Sequence, residues 1–311
     1  MVIHRYLDPK NDLAFKKIFG EEKHKRIPIS FLNAALNLEG DAKIVDLEFI
    51  NTVQSPEIEA RKESIVDVLV RDQKGTRYII EMQVARIEGF EKRAQFYAAK
   101  AYCSHFNKGG QYSDLAKVVF LAITDYVVFP DKPGYKCNHE ILDTETYEQD
   151  LKDFSFTFVE LPKFNLTFDE LTSLEEQWYY FLKNTNDTAH LPTLIANHPE
   201  IKEAYEVLDR FNWNEAELNA YDRVFRAISD EICILAAAKT EGRAEGRAEG
   251  LREGLEEGLK AGKVEGLREG IEKGKKEAAI NLAKELLTIL AIEQVADITH
   301  LSKEELEKIK S

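Results

Sequence analysis

The chain has 311 residues, with 42 Lys and Arg against 56 Asp and Glu, and its formal net charge at pH 7 is −14. This length can bury a sizeable core and favours more than one structural unit, while the acidic balance excludes a protein whose whole surface binds nucleic acid. The three cysteines form no CxxC pair and the seven histidines form no HExxH motif, so the sequence indicates neither a zinc site nor a disulfide framework.

The first predicted element is a helix over residues 11–20. Its apolar residues recur at the spacing of a buried helix face: Phe15, Ile18 and Phe19. Asp12 begins this helix and is suited to the positive end of the helix dipole. Lys16 and Lys17 follow within a basic stretch over residues 10–26, which leaves room for a local basic track despite the acidic net charge.

Residues 64–84 predict a β-hairpin with an acid on each strand. Asp67 lies in an apolar run, where a carboxylate is costly unless it is paired or binds a metal. Glu81 and Gln83 are two residues apart on the second strand and therefore face the same side, opposite to their apolar neighbours. Three polar groups on one sheet face could hold a hard divalent cation and a water, which is what phosphodiester hydrolysis requires.

The register of this hairpin decides whether its two acids meet. Asp67 lies beside Glu81 only if residue 71 pairs with residue 77, which leaves residues 72–76 as the loop. A slip of one residue would send Asp67 to the opposite face. The alternative is an edge hairpin whose Glu81 and Gln83 are solvated.

A helix is predicted next, over residues 91–107. Arg93, Tyr97 and Lys100 share one of its faces. That face either contacts phosphate groups or is the solvated basic edge of an ordinary amphipathic crossover helix. Two further strands are predicted: residues 118–124 and 154–161.

From residue 166 to residue 239 the apolar residues recur at helical spacing, which predicts a helical region. Trp178 and Trp213 are predicted to lie in its core. Residues 277–311 predict three short helices, the last of them capped by the Ser302-Lys-Glu-Glu segment. Between these regions, from Gly242 to Gly274, a glycine occupies every fourth position.

The glycine repeat admits two interpretations. Each glycine costs a helix about 1 kcal/mol relative to alanine, so the repeat is a poor helix by itself. It is either a self-association helix, in which glycine allows two backbones to approach closely, or a flexible charged spacer.

Four segments carry a resemblance to a known family: NDLAFKKIFG (11–20), IVDVLV (65–70), IEMQ (80–83) and KRAQFY (92–97). In order and spacing they resemble the PD-(D/E)XK nuclease family transposases, also called the recombination-promoting nuclease (Rpn) family. The resemblance implies an α/β fold, in which a restriction-endonuclease-like core of mixed sheet flanked by helices is followed by an α-helical C-terminal region. We expect four parts: a nuclease-like domain over 1–165, a helical region over 166–239, the repeat over 240–276 and a small helical unit over 277–311.

The resemblance also implies a function, that of a Mg²⁺-dependent DNA endonuclease with little sequence specificity, linked to recombination, mobile DNA or phage defence. Asp67 and Glu81 would bind Mg²⁺, with Mn²⁺ or Ca²⁺ as alternatives. Gln83, which stands where the wider superfamily has a lysine, would orient the attacking water. Related folds often have a first-helix acid facing the metal, which makes Asp12 a third candidate ligand. The candidate contacts to the substrate are Lys16, Lys17, Arg93 and Tyr97.

The expected partners are DNA and further copies of the chain. We expect no membrane and a cytoplasmic location, because the sequence has neither an apolar leader core nor an 18-residue apolar run. The competing interpretation is a catalytically inactive nuclease-fold scaffold that binds DNA or oligomerises through the glycine repeat.

Overall fold

The computed structural model describes residues 4–50, 66–104, 111–187 and 189–310. The chain divides into two compact units between Cys233 and Ile234. Among the described residues, no helix is both long and apolar enough to cross a membrane.

A mixed sheet of six strands forms the centre of the first unit, counting the described residues. The strands are β1 Leu47–Phe49, β2 Val68–Asp72, β3 Arg77–Gln83, β4 Val118–Thr124, β5 Lys136–Glu140 and β6 Phe154–Glu160. Their spatial order is β1-β2-β3-β4-β6-β5. Strands β3, β4 and β6 run parallel. Strand β2 pairs antiparallel with β3, β1 with β2, and β5 with β6.

Helices cover both faces of this sheet, and each face has its own apolar core. The helices that begin in this unit are α1 Asp12–Phe19, α2 Arg26–Ala35, α3 Phe90–Cys103, α4 Leu174–Asn184, α5 Leu191–Asn197, α6 Pro199–Leu208 and α7 Glu215–Leu286. Helix α3 packs on one face and connects the parallel strands β3 and β4, while α1, α2, α4 and α6 contribute to the core of the other face. An α/β fold with a mixed sheet flanked by helices, followed by a helical C-terminal region, is confirmed.

The hairpin of β2 and β3 has the predicted register. Arg71 pairs with Arg77, and Val68 pairs with Ile80. The turn is set by Asp72, whose Oδ1 accepts hydrogen bonds from the backbone N–H groups of Lys74 and Thr76 at 2.8 and 2.9 Å, and by a glycine at position 75 with φ of +91°. A side chain that bonds its own turn and a glycine that tolerates positive φ fix the loop length, and with it the register.

Helix α3 packs on the sheet through a buried face of one phenylalanine and three alanines. Phe90, Ala94, Ala98 and Ala101 are at most 1% exposed. The helix begins after a glycine with φ of +72° and ends, among the described residues, at Cys103. The predicted extension to residue 107 lies outside the described residues.

Two strands were not predicted from the sequence. Strand β5 has the sequence KCNHE, which lacks the β-branched residues that mark a strand, and it forms because β6 offers a pairing edge. Strand β1 has three residues and pairs with β2. The predicted strand over residues 154–161 is confirmed as β6.

In the second unit, α7 continues through the whole glycine repeat and is followed by α8 Ile292–Thr299 and α9 Lys303–Lys310. The last helices pack on the end of α7 around a small core: Ala283, Val295, Leu301 and Leu306. The predicted cap is present, since the carboxylate of Glu305 accepts from Ser302 N at 3.1 Å and Ser302 Oγ accepts from Glu305 N at 3.3 Å. A Cβ added at any of the nine repeat glycines would meet nothing within 4 Å among the described residues.

Candidate active site

Two carboxylates lie side by side where β2 begins and β3 ends. The backbone N–H of Asp67 donates to Oε2 of Glu81 at 2.9 Å, and the backbone N–H of Met82 donates to Oδ2 of Asp67 at 2.9 Å. The side chain of Glu81 is 1% exposed and that of Asp67 is 12% exposed. The predicted hairpin register therefore brings the two acids together at the rim of a buried face.

Helix α3 supplies the positive partner of Glu81. A terminal nitrogen of Arg93, Nη2, donates to Oε1 of Glu81 at 2.9 Å. The guanidinium also lies over the ring of Tyr97, 5.1 Å from its centroid, a cation–π geometry. The buried Nε of Arg93 has no hydrogen-bond partner among the described residues. The guanidinium of Arg93 is therefore held between Glu81 and Tyr97.

Helix α1 supplies the positive partner of Asp67. The ammonium of Lys16 lies 2.7 Å from Oδ1 of Asp12 and 3.4 Å from Oδ1 of Asp67. Burial lowers the pKa of Lys16, but its two acidic partners more than compensate and raise that pKa above its usual value. Asp12 is both an acid in the first helical turn and the partner of Lys16, and its charge contributes to raising the pKa of Asp67.

Burial dominates the electrostatics of the pair. It raises the pKa of Asp67 well above its usual value, and the nearby charge of Glu81 raises it further. Burial also raises the pKa of Glu81, although the Asp67 backbone N–H and Arg93 oppose that shift. Two desolvated carboxylates in contact disfavour the doubly ionised state, which a bound cation would favour.

The raised pKa of Asp67 predicts a change in stability when no metal is present. A carboxyl whose pKa is higher in the folded protein stabilises the fold below its unfolded pKa and loses that contribution as pH rises through its folded pKa. At neutral pH in EDTA, Asp67→Asn should therefore raise the melting temperature. The rise should be about 2 to 4 °C for each kcal/mol by which the free energy of unfolding increases. Calorimetry over a pH series checks this, because the gain should shrink as pH falls. An unchanged or lower melting temperature at neutral pH would mean that the ion pair with Lys16 outweighs burial.

Gln83 is at the carboxyl end of β3, half-buried, beside the end of β4. The backbone carbonyl of Gln83 accepts a hydrogen bond from the backbone N–H of Asp125 at 2.8 Å. The carboxylate of Asp125 pairs with the ammonium of Lys10 at 2.7 Å. The ion pair between Lys10 and Asp125 is not evident from the sequence. Asp125 had one available signal, since it directly follows a buried parallel strand, where polar residues gather at the carboxyl edge of a sheet. Lys10 had none, because its partner is distant in the chain.

Lys17 is not brought to this site. Its ammonium lies 2.6 Å from Oε1 of Glu217 and 4.0 Å from the ring centroid of Trp213, both outside the carboxylate pair. Other members of the basic stretch are also paired with acids: Lys10, Lys23 and Lys25. The expected basic track is thus largely neutralised by ion pairs, and a role for Lys17 in substrate binding stays a prediction.

The donor set fits a hard divalent cation. Among the described residues, no group of three or more His, Cys, Asp and Glu side chains is arranged to hold a metal. The chain instead offers two carboxylates, and Mg²⁺ is usually held by one or two carboxylates together with waters and substrate phosphates. Arg93, whose side chain is 30% exposed, places a positive charge beside Glu81, which suits an anionic ligand of the same site.

One comparison with known proteins gives a match over most of the chain. A family model described as PD-(D/E)XK nuclease family transposase matches residues 9–238, which is well over half of the chain. No curated protein and no solved structure is significantly similar to the chain. The resemblance inferred from the four sequence segments is confirmed.

Proposed function

The chain belongs to the PD-(D/E)XK nuclease family of transposases, and we propose that it is a divalent-metal-dependent DNA endonuclease whose active site is the pair Asp67 and Glu81. The family implies a nuclease-type function with DNA as substrate. The observation that supports the finer proposal is the contact between two buried carboxylates at the start of β2 and the end of β3, with cationic side chains on both sides.

Each residue of the site has a proposed role. Asp67 and Glu81 would hold Mg²⁺, or Mn²⁺ or Ca²⁺ in its place, whereas Asp12, the third ligand that the resemblance suggests, is paired with Lys16. When bound, such an ion lowers the pKa of a coordinated water and neutralises charge on the phosphate. Gln83 would orient the attacking water through its amide, which carries no charge. Lys16 and the Arg93–Tyr97 pair would neutralise and position the scissile phosphate.

We propose that the enzyme cleaves with little sequence specificity. Its candidate substrate contacts are one ammonium and one guanidinium beside the carboxylates, groups that suit phosphate oxygens. Phosphate contacts position a protein on the duplex but carry no sequence information directly. We propose that such cleavage serves recombination, mobile DNA or phage defence and takes place in the cytoplasm.

The test of this function is metal removal. Purified protein should nick or linearise supercoiled plasmid with Mg²⁺ or Mn²⁺ and should lose this activity in EDTA, because two carboxylates alone cannot activate water at neutral pH. Adding excess Mg²⁺ after EDTA should restore cleavage, which controls for irreversible loss of the fold. Cleavage that persists in EDTA, or no cleavage with any divalent ion, would contradict the proposal.

A further inference from the structure

A lysine ammonium occupies the place where two candidate metal ligands converge. Lys16 lies between Asp12 and Asp67, 2.7 Å from one carboxylate and 3.4 Å from the other. The remaining oxygens of the carboxylate pair are already engaged, since Oδ2 of Asp67 accepts from Met82 N and both oxygens of Glu81 accept from Asp67 N and Arg93. Oδ1 of Asp67 has the longest of these four contacts, 3.4 Å to the Lys16 ammonium against 2.9 Å for the other three oxygens.

We propose that Lys16 is the internal counter-ion of the carboxylate pair, and that a divalent cation binds by displacing its ammonium from Asp67. The inference rests on the proposed function, because it requires the pair to be a metal site. The two cations compete for the same oxygen, and two positive charges at contact distance repel each other. Binding of the divalent ion thus carries the cost of breaking the Lys16–Asp67 ion pair.

Asp12 determines where the displaced ammonium goes. It lies one helical turn before Lys16 on α1, and its side chain is 49% exposed. An i, i+4 pair of this kind holds a lysine on one face of its helix. The ammonium therefore stays at the mouth of the site after it leaves Asp67, within the region where a substrate phosphate would enter. Asp12 is then a positioning residue that acts through Lys16.

The test measures metal affinity without DNA and without turnover. Mn²⁺ titrations by calorimetry at low salt compare wild type with Lys16→Met and Lys17→Met. Lys16→Met should bind Mn²⁺ about three- to fivefold more tightly, the upper part of the range expected for removal of a partly exposed ion pair. Lys17→Met is the matched control, because it removes the same charge from the neighbouring position, where the ammonium pairs with Glu217. It should stay within about twofold of wild type.

A third variant keeps the test informative if Lys16→Met folds poorly. Lys16→Arg retains a cation next to Asp67 and should bind Mn²⁺ no more tightly than wild type. Circular dichroism and melting curves establish that each variant is folded. If wild type binds Mn²⁺ and Lys16→Met matches Lys17→Met, the counter-ion role is wrong while the metal site stands. If wild type does not bind Mn²⁺ at all, both the metal site and the counter-ion role are wrong.

Discussion

Asp67→Asn and Glu81→Gln should each lower the rate of Mg²⁺-dependent DNA cleavage by about a thousandfold or more. Both substitutions keep the shape of the side chain. An amide oxygen can still accept from Met82 N in place of Asp67 and from Asp67 N in place of Glu81. What is lost is the negative charge that holds the divalent ion. Single-turnover plasmid cleavage at saturating protein measures the effect.

Glu48→Gln is the matched control for these variants. It removes the same charge from the same sheet, but Glu48 lies on β1 with its side chain 63% exposed and pairs with Arg71. It should cleave within about twofold of wild type, since exposed ion pairs contribute little. DNA affinity of the Asp67 and Glu81 variants should be unchanged or higher, because a negative charge near the phosphate has been removed. Full activity in Asp67→Asn would mean that the observed cleavage comes from another site or another protein.

The carboxylate pair could be predicted from the sequence because every step is local. The alternation of polar and apolar residues decides which residues of β3 face the same side, and the turn around Asp72 and Gly75 fixes the register. Side chains alternate between the two faces of a strand with a period of two residues, and the loop has a fixed length. Only one pairing of the two strands is then possible, and it places Asp67 beside Glu81. The contact between the two acids follows from fewer than twenty residues of sequence.

The cationic side of the site could not be predicted in the same way. Lys16 and Lys17 are neighbours in sequence, yet one contacts Asp67 and the other contacts Glu217 and Trp213. Successive helix positions differ by about 100° around the axis, so only the orientation of α1 in the fold decides which lysine reaches the acids. That orientation is set by packing on the sheet and on the start of α7, which is a long-range property.

The start of α7 holds the segment that carries Asp12 and Lys16. The hydroxyl of Tyr221 accepts from the backbone N–H of Asp8 at 2.9 Å, and Lys17 pairs with Glu217. These contacts connect the first two turns of α7 to Asp8 and Lys17, on either side of Asp12 and Lys16. Beyond Cys233, where the second unit begins, α7 carries the glycine repeat from Gly242 to Gly274.

Alanine at four repeat glycines, Gly250, Gly254, Gly258 and Gly262, should make α7 markedly more stable. The structure has this region as continuous helix, with nothing within 4 Å of an added Cβ among the described residues. Each exchange should then stabilise the helix by about 1 kcal/mol, or about 4 kcal/mol for the set, because alanine loses less backbone entropy than glycine. The helical circular dichroism signal of the full chain should be larger and should melt at higher temperature.

The reverse exchange in the same helix is the control. Ala244→Gly and Ala248→Gly are at exposed positions of the repeat and should each destabilise α7 by about 1 kcal/mol. If the alanine set instead lowers the melting temperature or dissociates an oligomer in analytical ultracentrifugation, then the glycines pack against a second copy of the chain. In that case glycine is retained for close backbone approach, since a methyl group at each position would separate the two helices. A spacer that does not self-associate and a self-association surface thus predict opposite signs for one set of substitutions, and the sign decides between them.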